Sequence, residues 1–421
     1  VRPATDPIER LRDLHEGERH LAAVVAMGDA AIPSLERLLR GPSESVPQPR
    51  CLAADALALI GTRSAVDALV RALSDSTSRR LEPVLEHVEY VVINGIAENL
   101  GNAGDVRAVP ALVEASGKRA YPEVARALGR LKDPRAIPVL VERLHADVTR
   151  EAAMDALRGF DASLVRPHLV AAVTSSADRG EAERRDRAWG RAAACTLLGE
   201  IGGAGEVLRG ALADRGGDVR LAAALALARS TDTGEEAVHV LVDALGTEDW
   251  QRAEDIEQAL VRLDGSGLPV LVRTLRETPR VPRAARLRSR IVEVLARIPA
   301  LEATSALAAM ARDPDATCRC TTVVALAQQP YPEALDAMSG FARDSSALVR
   351  ERLAVALASR GPDATDLLAR LSTDRDRRVR RAAIASLVRL GEPALRRLRS
   401  ARSWRALWVS WRVARRLDHS T

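Results

Sequence analysis

Apolar residues along this chain recur three and four positions apart, the spacing of one helical face, in stretches separated by Gly, Pro and Asp. Eight stretches carry an Arg seven residues before a Leu: Arg50/Leu57, Arg150/Leu157, Arg191/Leu198, Arg220/Leu227, Arg288/Leu295, Arg319/Leu326, Arg350/Leu357 and Arg380/Leu387. Neighbouring pairs in the second half lie 29 to 31 residues apart. A second phrase alternates with the first, as DAAIPSLERLL (29–39), RSAVDALVRAL (63–73), DVRAVPALVEA (105–115) and DPRAIPVLVERL (133–144), with looser copies at 233–245, 266–275, 303–311, 333–342 and 364–371. Two phrases per period predict a helical pair repeated about twelve times. A fixed period of this size marks an array whose units bury their apolar faces only against their neighbours.

The punctuation agrees with that reading. Pro33, Pro110 and Pro138 stand near the start of the second helix, where a missing N–H is tolerated. Gly61, Gly101, Gly129, Gly199 and Gly391 follow the first helix and are expected to be left-handed C-caps. Units around 177–213 and 248–299 carry longer, charge-rich first helices, where the stacking is expected to change.

The two-part phrase, (V)R-x-x-A-A-x-A-L-x-x-L/I-G followed by A-I-P-x-L-x-x-x-L, resembles the HEAT repeat, most closely the short bacterial form of the phycobilisome-lyase (PBS lyase) HEAT-like group. The resemblance is clearest at 18–40, 50–74, 105–146 and 216–230. It implies an all-α fold, a right-handed α-solenoid of about twelve helical pairs over residues 1–402, and a non-catalytic scaffold or adaptor that captures a protein along the face of its second helices. It also implies that the repeated Arg pairs with an acid of the same or the next unit; Asp218, Glu351 and Asp376 are the candidates near in sequence.

Composition narrows the core. Hydrophobic residues make up 47% of the chain and aromatics 2%, so helices must pack through Ala, Leu and Val. Four cysteines, Cys51, Cys195, Cys318 and Cys320, are too scattered for a disulfide framework or a zinc site. The opening residues VRPATDPIERLRDL hold no apolar signal core, and no 18-residue apolar run exists to span a membrane. A cytoplasmic, bacterial protein is expected.

Charge singles out the C-terminus. Residues 376–417 hold 13 Arg against Asp376 and Glu392, a net +11, in a chain whose total is +5, so the remainder is −6. Residues 403–421 form a separate basic helix containing three of the five tryptophans. Trp404, Trp408 and Trp411 share a helical face with Leu407, and Arg405, Arg412, Arg415 and Arg416 fill much of the remainder. Two readings stand: a cap that closes the last repeat with bulky rings, or a docking helix for an acidic protein partner, with anionic lipid and nucleic acid as other acidic surfaces. A second departure is the helix within 81–105, where His87, Tyr90, Asn94 and Glu98 form one polar stripe, read either as internal architecture or as part of a binding face.

Catalysis finds no motif. Deoxyhypusine hydroxylase holds iron with repeated His-Glu dyads; here His15–Glu16 is the one dyad, and Glu86–His87 runs in reverse. No phosphate loop, nucleophile elbow or H-E-x-x-H occurs. No catalytic, cofactor or metal residue is therefore assigned. The alternatives kept beside the scaffold are nucleic-acid binding through the Arg-rich end and a modifying enzyme akin to HEAT-like bilin lyases. The oligomeric state stays open.

Overall fold

The computed structural model describes residues 7–13, 16–41, 46–79, 83–175, 181–230, 234–246, 250–400 and 404–417. Among them every regular element is helical. Twelve two-helix repeats follow one another along the chain, then the single helix Trp404–Leu417. No described helix is long and apolar enough to cross a membrane. The chain forms two compact units, Val1–Ala226 and Leu227–Thr421. Within each, successive first helices pack side by side and so do successive second helices, the stacking of an α-solenoid.

Local chemistry explains the boundaries. Pro33, Pro110 and Pro138 are each the second residue of a second helix, in Ile32–Leu39, Val109–Lys118 and Ile137–Arg143. A 3₁₀ turn precedes each of these helices. In two of them the turn is opened by an Asp whose carboxylate accepts the N–H two residues on, Asp105 from Arg107 and Asp133 from Arg135. Small side chains fill the core as composition requires, and Phe341 is a rare fully buried ring.

The glycines divide into two jobs. Gly61 and Gly391 end their helices with φ of 65° and 63°, Gly61 in the expected left-handed helical conformation and Gly391 with an extended ψ of −144°. Gly101, Gly129 and Gly199 do not. They lie inside helices, and the left-handed positions beyond them belong to Gly104, Lys132 and Gly202. Their job is contact: a Cβ on Gly101, Gly129 or Gly199 would fall 2.8, 2.8 or 2.7 Å from the Cα of Ala127, Ala156 or Ala226 in the next first helix. A side chain there would force neighbouring helices apart.

The longer first helix expected around 177–213 and 248–299 is seen at the first of these places and not at the second. Glu181–Ile201 is 21 residues long, as is Pro83–Ala103, whereas Trp250–Arg262 and Ala285–Ala296 have 13 and 12, ordinary for this array.

Candidate functional site

The repeated Arg builds an internal ladder. In the second unit Arg288 donates Nε and Nη2 to the two oxygens of Asp313 at 2.7 and 3.1 Å. Arg319 does the same to Asp344 at 2.7 and 3.0 Å, and Arg350 to Asp374 at 2.8 and 3.0 Å. The rungs interlock, because Nη1 of each following Arg donates to the backbone oxygen of the preceding Asp: Arg319 to Asp313, Arg350 to Asp344 and Arg380 to Asp374. Each Asp also accepts the N–H two residues on, which orders the entry to the next first helix. In the first unit Arg191 pairs in the same way with Asp214, whose carbonyl accepts from Arg220.

These partners correct the sequence expectation. The bidentate partners of Arg191, Arg288, Arg319 and Arg350 are Asp214, Asp313, Asp344 and Asp374, not the nearer Glu351 and Asp376. Asp376 instead caps its own helix, accepting from Arg378 N–H. Arg288 and Asp313 are 1% and 0% exposed, so an unpaired charge at either place would be severely desolvated. Burial alone would raise the Asp344 and Asp374 carboxyls, but the guanidinium hydrogen bonds and the backbone N–H hold both below the usual carboxylate range.

Two rungs of the first unit differ. Arg50 reaches forward to Glu89 with two hydrogen bonds of 2.6 and 2.9 Å, and also donates to Leu39 O and Ser76 Oγ. Glu89 was missed in the sequence. Its signal was present, since it lies on the apolar stripe of Val92, Ile93 and Ile96 that faces inward. Arg150 has no bidentate acid among the described residues; it donates to Leu144 O and Asp147 and lies 5.0 Å from the centre of the Trp189 ring.

The polar stripe of Pro83–Ala103 is mostly surface. His87 and Glu98 are exposed, Tyr90 and Asn94 half-buried. Asn94 is architectural: it donates to Tyr90 O at 2.9 Å and accepts Glu123 N–H at 3.2 Å, holding the first turn of the next repeat's helix. Tyr90 packs on Tyr121 with ring centres 5.5 Å apart.

The terminal helix separates two apolar stripes. Ala406, Val409 and Val413 are buried against Arg377–Leu390 and Glu392–Ser400, and Ser410 turns its hydroxyl back to Leu407 O. Trp408 and Trp411 face outward, 42% and 57% exposed, beside exposed Leu407. Among the described residues Ala406, Val409 and Val413 make the contact with the last repeat, and Trp408 and Trp411 do not. Arg412 lies 4.7 Å from the centre of the Trp408 ring and Arg415 5.3 Å from that of Trp411, so cations cover the rings instead of occupying a separate face. Arg416 is exposed; the side chains of Trp404 and Arg405 lie outside the described residues.

A groove of about 460 Å³ opens in the second unit between first helices, lined by Glu257, Glu293, Cys320, Val324 and Arg352 among others. Burial raises the Glu293 carboxyl, with Glu257 adding to the effect and Arg290 opposing it. Among the described residues no cluster of three His, Cys, Asp or Glu could hold a metal ion.

Comparison with known proteins agrees with this architecture. The HEAT-repeat family profile matches residues 79–158, 180–261, 268–358 and 339–407, and the PBS lyase HEAT-like repeat matches 49–75. No curated protein sequence matches the chain. Among solved structures it is similar to Kap121p bound to Ste12p, with 12% identity over 94% of this chain and 50% of that one at a TM-score of 0.59. It is similar to Kap121p bound to RanGTP, with 11% identity over 93% of this chain and 49% of that one at 0.56. A Kap95p structure with RanGDP aligns with 13% identity over 99% of this chain and 65% of that one at 0.50. The chain thus spans from about half to just under two thirds of the length of these neighbours, and the likeness is one of fold.

Proposed function

The chain belongs to the HEAT-repeat proteins, and from that premise we propose that it is a non-catalytic protein-binding scaffold, an array over 1–402 whose C-terminal helix (403–421) docks an acidic partner. The observation that carries this reading is the outward pair Trp408 and Trp411, each with an Arg stacked on its ring. Trp and Arg are the residues that most often dominate the energy of a protein interface. The helix does not spend these rings on its own anchorage, because Ala406, Val409 and Val413 supply that. The surrounding +11 charge selects against basic surfaces and steers acidic ones. A prestacked array orders few groups on binding, so little conformational entropy opposes capture. Kap121p, on a similar fold, is seen bound to Ste12p and to RanGTP, which supports protein capture as the use of this one. Exposed His87 and Glu98 offer a second contact on the array itself.

The test is affinity capture from nuclease-treated lysate with the full chain and with its Trp408→Ala/Trp411→Ala variant. A protein held by the first and lost by the second supports docking through the rings. Equal retention by both assigns capture to the array and removes the helix from the reading. Nucleic-acid binding is checked with a labelled oligonucleotide, whose affinity would fall with salt at a slope of about 0.9 per phosphate neutralised.

A further inference from the structure

The terminal helix continues a row of first helices. Its buried Ala406, Val409, Ser410 and Val413 repeat the spacing of buried Arg319, Thr322, Val323 and Leu326 in Ala316–Gln328. It packs on Arg377–Leu390 and Glu392–Ser400, as the first helix of a further repeat would. Ala406 therefore stands at the ladder position, where Arg319, Arg350 and Arg380 stand in the helices before it. In that register Trp408 and Trp411 fall two and five residues after the ladder position, as do Thr321 and Val324, Arg352 and Val355, and Ala382 and Ala385. Helical periodicity puts these positions on one outward face, together with the position two residues before the ladder, held by Leu348 in Ala347–Ala356.

Apolar side chains lie open along that face. Val324, Leu348 and Val355 are 40, 52 and 43% exposed, and exposed Ala385, Trp408 and Trp411 follow them. A single exposed aliphatic residue is ordinary, but a run of them at matching positions of helices packed side by side makes a strip. One end of the strip opens into the groove of about 460 Å³, whose wall includes Val324 and Arg352. The rim is basic: Ala316–Gln328, Ala347–Ala356, Arg377–Leu390 and Trp404–Leu417 together hold one acid, Glu351. Arg352, Arg378 and Arg381 are exposed, and their guanidinium groups make no hydrogen bond or ion pair among the described residues. Glu257 and Glu293, across the groove, end the basic run on that side. We propose that this strip, and not the terminal helix alone, is the docking surface, and that its occupant is an acidic peptide segment. Its apolar side chains lie across successive first helices while its carboxylates meet Arg352, Arg378, Arg381 and the arginines that cover the rings. The proposal rests on the docking role given to Trp408 and Trp411 and extends it along the array. Anionic lipid and nucleic acid are drawn by the same charge, but a groove between helices with an aliphatic lining suits peptide side chains better than a bilayer surface or a phosphate backbone.

The test pans a displayed library of random peptides on the intact chain and titrates the most enriched peptide, labelled, by fluorescence anisotropy. The parent is compared with three variants. Leu348→Ser/Val355→Ser removes strip side chains from a helix that does not adjoin the terminal one, Arg352→Glu reverses a rim charge, and Trp408→Ala/Trp411→Ala removes the rings. All change exposed positions, and circular dichroism establishes that they fold. Enriched sequences should combine Asp or Glu with apolar residues. Leu348→Ser/Val355→Ser and Arg352→Glu should each weaken binding by about tenfold, and the ring variant should weaken it further. Parental affinity in the strip variants or in the ring variant overturns a continuous surface. If only the strip variants keep it, the docking role of the terminal helix stands; if all three keep it, affinity capture with the ring variant decides that role by itself. Enrichment of basic or uncharged sequences or of none, or retention of an oligonucleotide or of phosphatidylglycerol vesicles with no peptide bound, overturns the proposal.

Discussion

Arg319 and Asp344, 25 residues apart in sequence, are joined by two parallel hydrogen bonds of 2.7 and 3.0 Å, and the same Asp offers its backbone oxygen to Arg350 at 2.7 Å. One residue therefore ties two consecutive repeats. It neutralises the Arg behind it, accepts from the Arg ahead, and caps the turn between them through Ser346 N–H. In a solenoid, where stability is roughly a sum of repeat and nearest-neighbour terms, such a residue acts on the neighbour terms.

Truncation of one partner should cost far more than replacement of both. Asp344→Ala leaves the Arg319 guanidinium unpaired in a poorly solvated place and should destabilise the second unit by about 3–5 kcal/mol. The double replacement Arg319→Met/Asp344→Leu removes both charges and should cost less than the single change. Equilibrium urea denaturation of the three proteins measures the difference. A double variant weaker than Asp344→Ala would show that the pair's contribution is not dominated by the stranded charge.

The same carboxylates set the response to acid. The folded pKa values of Asp344 and Asp374 lie below the ordinary value because Arg319 and Arg350 favour the ionised form. Their contribution is complete above the unfolded Asp pKa of about 3.9 and is lost as the pH falls through it toward the folded values. Thermal unfolding followed from pH 7 down to about pH 3 should show little change at first and a steep loss below about pH 4. The Asp344→Asn/Asp374→Asn protein should start lower and lose less over that last interval.

Glycine substitutions should have opposite signs at two helical sites. Gly129→Ala gains about 1 kcal/mol of helix propensity, but its Cβ would meet Ala156 Cβ at 2.7 Å, and forcing the helices apart costs about 1–3 kcal/mol. Gly117 lies in the helix Val109–Lys118 with nothing within 4 Å of a Cβ, so Gly117→Ala should stabilise by up to about 1 kcal/mol. Unfolding temperatures of the two variants decide it, and a stabilised Gly129→Ala would refute the contact role.

Much of the fold was legible because each repeat states its own register. The Arg-to-Leu interval marks eight of the first helices and an Ala-Ile/Val-Pro phrase three of the early second ones, and burial within a unit follows from local periodicity. Contacts made between repeats were harder to read. Gly129 and Gly61 occupy similar places near a helix end, yet one meets a neighbouring helix and the other ends its own, and the repeat motif looks alike in both cases. The ladder acids lie at the far end of the same repeat, so proximity in sequence pointed to Asp376 and Glu351 when a recurring Arg-to-Asp interval of 23 to 25 residues pointed to Asp214, Asp313, Asp344 and Asp374. The terminal helix has two stripes that helical periodicity treats alike. Stacking brings Ala406, Val409 and Val413 against the last repeat, and that leaves Trp408 and Trp411 outside.

That division of labour makes the terminal helix separable into anchor and contact. Trp408→Ala/Trp411→Ala removes exposed rings and should change stability by no more than about 0.5 kcal/mol per site, the usual range for surface positions. Val413→Ala empties a fully buried site and should cost on the order of 2 kcal/mol. Partner affinity should respond in the opposite order, with the ring variant losing about 2 kcal/mol or more and Val413→Ala changing little while the helix stays docked. Denaturation and a binding titration on the same two proteins give both columns of this comparison. If the ring variant unfolds as readily as Val413→Ala, the tryptophans belong to the cap and the outward face is not the contact.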